Sequence, residues 1–114
     1  MLPRLNRLTK RKDFGEIHQQ GQITRGRLMM LRAKRNNLKY SRVGIIVSKK
    51  VAKKATQRNK IKRRMRQIIR EKILLHSGYD FVIILKHNAA SVNYEELKDD
   101  WQRVWADINQ KICH

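Results

Sequence analysis

A run of positive side chains in the middle of the chain is its strongest chemical signal. The 22 residues from Lys49 to Arg70 contain 11 Lys or Arg and no Asp or Glu. So many like charges repel one another in a folded chain unless a polyanion provides the opposite charge. The run therefore predicts a surface that binds the phosphates of nucleic acid. RNA is favoured over DNA, because the sequence contains no recognisable motif for reading a DNA groove.

The charges are divided unevenly along the chain. Through Arg70 there are 23 basic and 2 acidic residues, a net of +21, whereas the remainder holds 5 basic and 7 acidic residues, a net of −2, which together give the total of +19. This division predicts one binding side and a C-terminal part that completes the fold. If about 6 to 10 cations meet phosphates, affinity should fall by roughly 10³ to 10⁵ between 50 and 200 mM salt.

Side chains able to catalyse phosphodiester hydrolysis are scarce. That reaction usually requires carboxylates that hold metal ions, or an acid and a base beside the phosphate, and the basic part offers only Asp13 and Glu16. No Gly-rich phosphate loop occurs. The histidines show no metal-ligand spacing, although His18 lies beside the basic region and could contact RNA. We expect no catalytic residue and no metal site in the chain itself.

Composition limits the architecture and the location. A chain of 114 residues with 40% hydrophobic residues fits a single domain over residues 1–114. Cys113 is the only cysteine, which excludes an internal disulfide and fits a reducing cytoplasm. No apolar run approaches the roughly 20 residues of a membrane span, and no signal-peptide core is present. We expect a cytoplasmic protein with no membrane partner and no small-molecule substrate.

The first half predicts one helix and two or three strands. A helix from Leu8 to Gln20 ends at Gly21, and strands are predicted at Leu28–Leu31 and Arg42–Val47. The short polar link between these two strands favours antiparallel pairing. A further strand at Gln22–Arg25 is only weakly signalled.

The second half predicts a basic helix, a buried strand and a final helix. The basic helix begins at Gln57 and closes at Ser77-Gly78, with an apolar stripe beside a cationic flank. The apolar run Asp80–Leu85 predicts an interior strand covered on both faces. The final helix follows Asn93 and places Trp101 and Trp105 on its apolar stripe, where core packing is favoured. These elements predict an α+β sandwich, with helices packed on a small sheet.

Two features allow a functional and a structural interpretation. Phe14 is the only aromatic in the first 39 residues; it could belong to the core, or it could stack on an unpaired base among cations. Lys49 and Lys50 could solubilise the end of a strand, or they could extend the binding surface of the basic helix. The sequence leaves both questions open.

The combination of these motifs resembles one known family. Ser48-Lys49-Lys50 followed by Arg58-Asn59-Lys60-Ile61-Lys62-Arg63 is similar to the protein subunit of bacterial ribonuclease P, whose signature Arg-Asn-Arg reads Arg58-Asn59-Lys60 here. The similarity extends over nearly the whole chain, from the Leu8 to Phe14 segment to Gly78-Tyr79-Asp80. The resemblance implies an α-β-β-β-α-β-α order, a mixed sheet and an unusual left-handed crossover.

The resemblance also implies partners and roles. Proteins of this family bind a catalytic RNA whose Mg²⁺ ions support removal of the 5′ leader from precursor tRNA, so this chain would be the non-catalytic subunit of an endoribonuclease. It implies that the catalytic RNA is bound by Arg58, Asn59, Lys60, Lys62, Arg63 and Arg66. It implies that the leader is bound by Phe14, Arg11, His18, Arg32, Lys49 and Lys50.

Two other classes share the charge and size of this chain. A small ribosomal protein would bind ribosomal RNA, and a stand-alone nuclease would cleave precursor tRNA without an RNA partner. A pull-down of bound RNA distinguishes a ribosomal protein from a ribonuclease P subunit. A cleavage assay with protein alone distinguishes a stand-alone nuclease from that subunit.

Overall fold

The computed structural model describes Pro3, residues 6–8 and residues 21–112. Within residues 21–112 the elements are β1 (Gln22–Arg25), β2 (Met29–Arg35), β3 (Arg42–Ile46), α1 (Ala55–Leu75), β4 (Tyr79–Leu85), a 3₁₀ helix (His87–Ser91) and α2 (Tyr94–Ile112). This β-β-β-α-β-α order agrees with the corresponding part of the predicted order. The predicted first helix lies mostly within residues 9–20, outside the described residues, and stays a prediction.

Two boundaries differ from the predicted ones for local reasons. β2 continues to Arg35, four residues beyond the predicted end at Leu31, because burial keeps alternating through Ala33. The turn therefore begins at Asn36, whose side-chain Oδ1 accepts the Leu38 N–H at 2.8 Å, and Asn37 adopts a positive φ of 62°. α1 begins at Ala55 instead of the predicted Gln57.

The four strands form one mixed sheet in the order β1-β2-β4-β3. β2 pairs antiparallel with β1 and β4, while β3 pairs parallel with β4. The predicted antiparallel pairing of β2 with β3 is therefore wrong. β4 is the most apolar strand and lies between β2 and β3, which confirms the predicted interior position in the sheet. The left-handed sense of the β3-α1-β4 crossover stays a prediction.

Both helices pack on one face of the sheet and enclose the main core. α1 buries Ile61, Met65, Ile69 and Ile73 against this face, and α2 contributes Leu97, Trp101, Val104, Trp105 and Ile108. The ring centroids of Trp101 and Trp105 lie 5.2 Å apart, which confirms the predicted core packing. Neither α1 nor α2, the long helices of residues 21–112, is apolar enough to cross a membrane.

The opposite face of the sheet carries no helix among residues 21–112, and we call it the second sheet face. Pairing register and alternation place on it Ile23, Arg25, Met30, Arg32, Lys34, Asp80, Val82, Ile84, Arg42, Gly44 and Ile46. Leu8 packs against Val82 and Ile84 on this face. Its N–H donates to the Val43 carbonyl at 2.9 Å, so the N-terminal segment enters along the outer edge of β3.

Acidic residues of the C-terminal part hold the fold together. The buried Asp100 accepts the backbone N–H of Arg27 at 3.0 Å and of Leu28 at 2.8 Å, which ties α2 to the β1–β2 turn. Gly26 makes this approach possible, since a Cβ there would lie 2.6 Å from both the Asp100 carboxylate and Val104. Asp80 forms a two-point ion pair with Arg42. These contacts support the predicted role of this part in completing the fold.

Candidate nucleic-acid interface

The six residues assigned to the catalytic RNA all lie in the first twelve residues of α1. Asn59, Lys60 and Arg63 are exposed, whereas Arg58, Lys62 and Arg66 are half-buried beside the apolar stripe. The sequence folds this way because every fourth residue from Ile61 is apolar, which leaves polar side chains on the other rows of the helix. We call the outward side of α1 from Arg58 to Arg70 the basic helix surface.

A groove on the basic helix surface combines cations with amide groups. It has a volume of about 440 Å³ and is lined by Asn59, Arg63, Arg64, Arg66 and Gln67. Guanidinium groups bind phosphate oxygens in two-point contacts, and side-chain amides can meet base edges or sugar hydroxyls. Arg64 and Gln67 were not assigned a role by sequence reasoning, although their spacing from Lys60 and Arg63 on the helix could have identified them.

The N-terminus of α1 adds to the positive field. Its first turn, within the described residues, contains no acidic residue, and the N-cap residue Lys54 makes no side-chain capping hydrogen bond. The aligned peptide dipoles place partial positive charge at this end. Lys53 and Lys54 are both exposed and immediately precede α1 at this end. Sequence reasoning did not assign these two lysines, although they repeat the Lys-Lys pair of residues 49 and 50.

The twin lysines occupy a short turn between β3 and α1. Lys49 and Lys50 are exposed, while Val51 and Ala52 are buried at 7% and 8% exposure. The Ser48 carbonyl accepts the N–H groups of Val51 at 3.0 Å and Ala52 at 3.3 Å. The two apolar residues thus anchor a turn that presents both lysines to solvent, which makes either interpretation of the pair sterically possible.

The leader-binding set is only partly placed. Phe14, Arg11 and His18 lie outside the described residues. Arg32 is half-buried on the second sheet face, directly between Ile23 of β1 and Val82 of β4. The next row of side chains across the strands on this face contains Arg25, Met30, Ile84 and Ile46. Lys49 and Lys50 come three and four residues after Ile46, the last residue of β3. They therefore lie beyond the end of the sheet at which this row stands.

The second sheet face alternates cations with aliphatic side chains. Arg25 is exposed, Met30 and Ile84 are half-buried, and Ile46 is 38% exposed. Bases of an unpaired strand can rest on apolar side chains while cations meet its phosphates. Sequence reasoning did not assign Arg25, Met30 and Ile46, because only the pairing register brings them into one row.

His76 lies outside these surfaces, among aromatic side chains of the core. His76 lies edge-on to the rings of Tyr79, Phe81 and Trp105 at centroid distances of 5.4, 5.3 and 5.4 Å, and its Nδ1 is 3.1 Å from Ser41 Oγ. Burial lowers the pKa of His76. Among the described residues no three His, Cys, Asp or Glu side chains cluster as metal ligands.

Known protein sequences are similar to this chain over nearly its full length. A family model described as Ribonuclease P matches residues 2–109. The ribonuclease P protein component of Pseudanabaena sp. (strain PCC 6903) is 39% identical over 116 residues, covering 100% of this chain and 98% of that protein. The corresponding protein of Thermotoga petrophila is 35% identical over 114 residues, covering 97% and 89%.

Solved structures share the fold. The RNase P protein of Staphylococcus aureus superposes with a TM-score of 0.83 at 26% identity, covering 90% of this chain and 94% of that chain. The RNase P protein of Thermotoga maritima superposes with a TM-score of 0.75 at 31% identity, covering 85% and 92%. The similar sequences and the superposed structures both cover most of the chain. The chain therefore belongs to the ribonuclease P protein family.

Proposed function

We propose that this chain assembles with the catalytic RNA of ribonuclease P and supports removal of the 5′ leader from precursor tRNA in the cytoplasm. The basic helix surface binds the catalytic RNA. The second sheet face, together with the N-terminal segment that contains Arg11, Phe14 and His18, binds the single-stranded leader. The protein contributes binding and positioning, and the RNA contributes the chemistry.

The observation that carries this proposal is the placement of two cationic surfaces on opposite sides of one core. α1 packs its apolar stripe on one face of the sheet, so the basic helix surface points away from that face. Arg25 and Arg32 lie on the other face. A protein built this way can contact two polyanions at once and reduce the repulsion between them. A single-surface RNA-binding protein has no need of the second cationic face.

The two buried carboxylates of the described residues, Asp80 and Asp100, are already engaged by other groups of the chain. Asp80 is engaged by Arg42, and both oxygens of Asp100 accept backbone N–H groups. A Mg²⁺ site needs several oxygen ligands directed at one point. Asp80 and Asp100 do not provide such a site, and we assign the Mg²⁺ ions mainly to the RNA partner.

The decisive experiment is a cleavage assay with reconstituted components. Precursor tRNA is incubated with the catalytic RNA of ribonuclease P at limiting Mg²⁺, with and without the protein. We expect the protein to lower the Mg²⁺ concentration needed for cleavage and to tighten binding of the precursor. An unchanged Mg²⁺ requirement together with an unchanged substrate affinity would contradict the proposal.

A third arm of the assay contains protein and Mg²⁺ without the catalytic RNA. We expect no cleavage above background in this arm. Efficient removal of the leader by protein alone would overturn the division of labour between protein and RNA, even if the protein also binds the catalytic RNA.

A further inference from the structure

Arg58 differs from the exposed cations of the basic helix surface because its guanidinium is bonded to the chain itself. One nitrogen, Nη1, donates to the carbonyl of Ala52 at 2.9 Å and to the carbonyl of Lys53 at 2.7 Å. Arg58 is half-buried, whereas Lys60 and Arg63 on the same helix are exposed. Its side chain therefore turns back from α1 onto the segment that leads into the helix.

Backbone hydrogen bonds hold the segment that Arg58 contacts at its two ends, through the Ser48 carbonyl before it and the Lys54 carbonyl after it. Val51 and Ala52 are buried, and the Ser48 carbonyl accepts both of their N–H groups. Lys53 and Lys54 are exposed, and Lys54 makes no side-chain capping hydrogen bond. The two carbonyl contacts of Arg58 bridge this gap between the buried anchor and the first turn of α1.

These contacts also orient the peptide groups. A trans peptide is planar, with its C=O and N–H pointing in opposite directions. Because the carbonyls of Ala52 and Lys53 point at the guanidinium, the N–H groups of Lys53 and Lys54 point away from it. The two hydrogen bonds of Arg58, which we call the clamp, thus restrain the backbone that carries two exposed lysines at the positive end of α1.

We propose that Arg58 is a positioning residue, which holds the turn so that Lys53 and Lys54 meet the RNA backbone, and that it is not itself a phosphate contact. This inference rests on the proposed function of the basic helix surface. A restrained turn loses less conformational freedom on binding, so the two lysines bind more tightly than they would on a loose segment. Both hydrogen bonds come from Nη1, which lies one bond further from Cα than the Nζ of a lysine does, so a lysine at this position reaches the two carbonyls less well.

A double-mutant cycle on RNA affinity tests this inference. Arg58→Ala, the pair Lys53→Ala/Lys54→Ala and the triple variant are compared for binding to the catalytic RNA at fixed salt. If Arg58 acts through the lysines, the triple variant binds within about twofold of the lysine pair, because coupled residues are not additive. If Arg58 contacts phosphate directly, the losses multiply, and this result would overturn the inference.

Two control variants sharpen the cycle. Arg63→Ala removes the same charge from an exposed position about 15 Å along the helix from Lys53, and its loss should multiply with that of the lysine pair. Arg58→Lys keeps the charge on a side chain that is one bond shorter. We expect it to bind as weakly as Arg58→Ala, and affinity close to wild type would contradict a positioning role.

Hydrogen exchange reports on the turn directly and needs no RNA. The amides of residues 52–55 should exchange faster in Arg58→Ala and Arg58→Lys, with those of β2 and β4 unchanged and with no effect of Arg63→Ala. Unchanged exchange in the turn would overturn the clamp. Should Arg58→Ala fail to fold, Arg58→Lys replaces it in the cycle. A wild-type chain that does not bind the catalytic RNA would instead count against the proposed function.

Discussion

The two α-helices pack on the same face of the sheet but use their charges differently. α1 contains 8 basic residues and 1 acidic residue, and its cations from Lys60 to Arg70 point outward. α2 contains 5 acidic and 3 basic residues. Asp100 of α2 holds the β1–β2 turn, and Asp107 accepts the hydroxyl of Thr24 at 2.8 Å, which lowers the pKa of Asp107.

This difference separates two uses of charge in one small domain. Asp100 and Asp107 of α2 accept hydrogen bonds from the chain itself, so they contribute to stability without needing a partner. The exposed cations of α1 gain their counter-charge from RNA in the proposed function. Removing these carboxylates from α2 should therefore affect folding, whereas removing exposed cations from α1 should affect binding and leave folding nearly unchanged.

The largest effect is expected for Asp100→Ala. The substitution leaves the buried N–H groups of Arg27 and Leu28 without their acceptor, which should destabilise the fold by about 3 kcal/mol. Chemical denaturation measures this loss. Asp99→Ala, at an exposed neighbouring position, serves as the control and should change stability by no more than about 0.5 kcal/mol. Equal effects of the two variants would show that the contact between α2 and the turn is unimportant.

A matched pair of double variants tests the α1 side of the comparison. Arg63→Ala/Arg66→Ala should reduce the salt slope of RNA binding by about 2 and the affinity at 0.1 M salt by about 60-fold, if affinity at 1 M salt is unchanged. Lys98→Ala/Arg103→Ala removes two cations from α2 and should leave the slope unchanged. Both quantities come from a salt titration of binding to the catalytic RNA. A similar loss of slope in both variants would erase the distinction between the helices.

A smaller effect is expected for Phe14→Ala, which tests the second surface. If Phe14 stacks on a leader base, precursor tRNA should bind roughly tenfold more weakly, with binding of mature tRNA unchanged. Phe14→Leu keeps an apolar side chain without the ring. It should show the same loss if stacking is the role, and nearly normal binding if Phe14 belongs to the core. The measurement is the affinity of the assembled protein and RNA for the two substrates.

Local periodicity was sufficient to predict most elements of the fold. The stripe from Ile61 to Ile73, the interior strand and the tryptophans of α2 follow from patterns within one segment, and the structure confirms them. The insertion of β4 between β2 and β3 could not be predicted in this way. It depends on β4, a segment more than thirty residues away, whose two apolar faces favour the position between them.

The candidate sites show the same limit. The cations of α1 were predictable because they are consecutive in sequence. The row on the second sheet face that contains Arg25, Met30, Ile84 and Ile46 combines four strands, so it exists only once the register is known. The contact of Arg58 with the carbonyls of Ala52 and Lys53 was also beyond sequence reasoning, since an arginine in a basic helix carries no signal for where its guanidinium turns.

The smallest effect concerns His76, where the two helices meet the sheet. Burial among Tyr79, Phe81 and Trp105 lowers the pKa of His76 below its ordinary value of 6.5, so the folded state prefers the neutral ring. The contribution to stability is complete above pH 6.5 and is lost as the pH falls through the lowered pKa, because the unfolded chain binds the proton first. Thermal denaturation between pH 7.5 and 5.5 should show this loss. His76→Gln should remove it, while His87→Gln, at an exposed position, should not. An identical pH dependence in wild type, His76→Gln and His87→Gln would mean that the fold accepts the neutral and the charged ring of His76 equally well. The junction of α1, β4 and α2 would then owe its stability to packing alone.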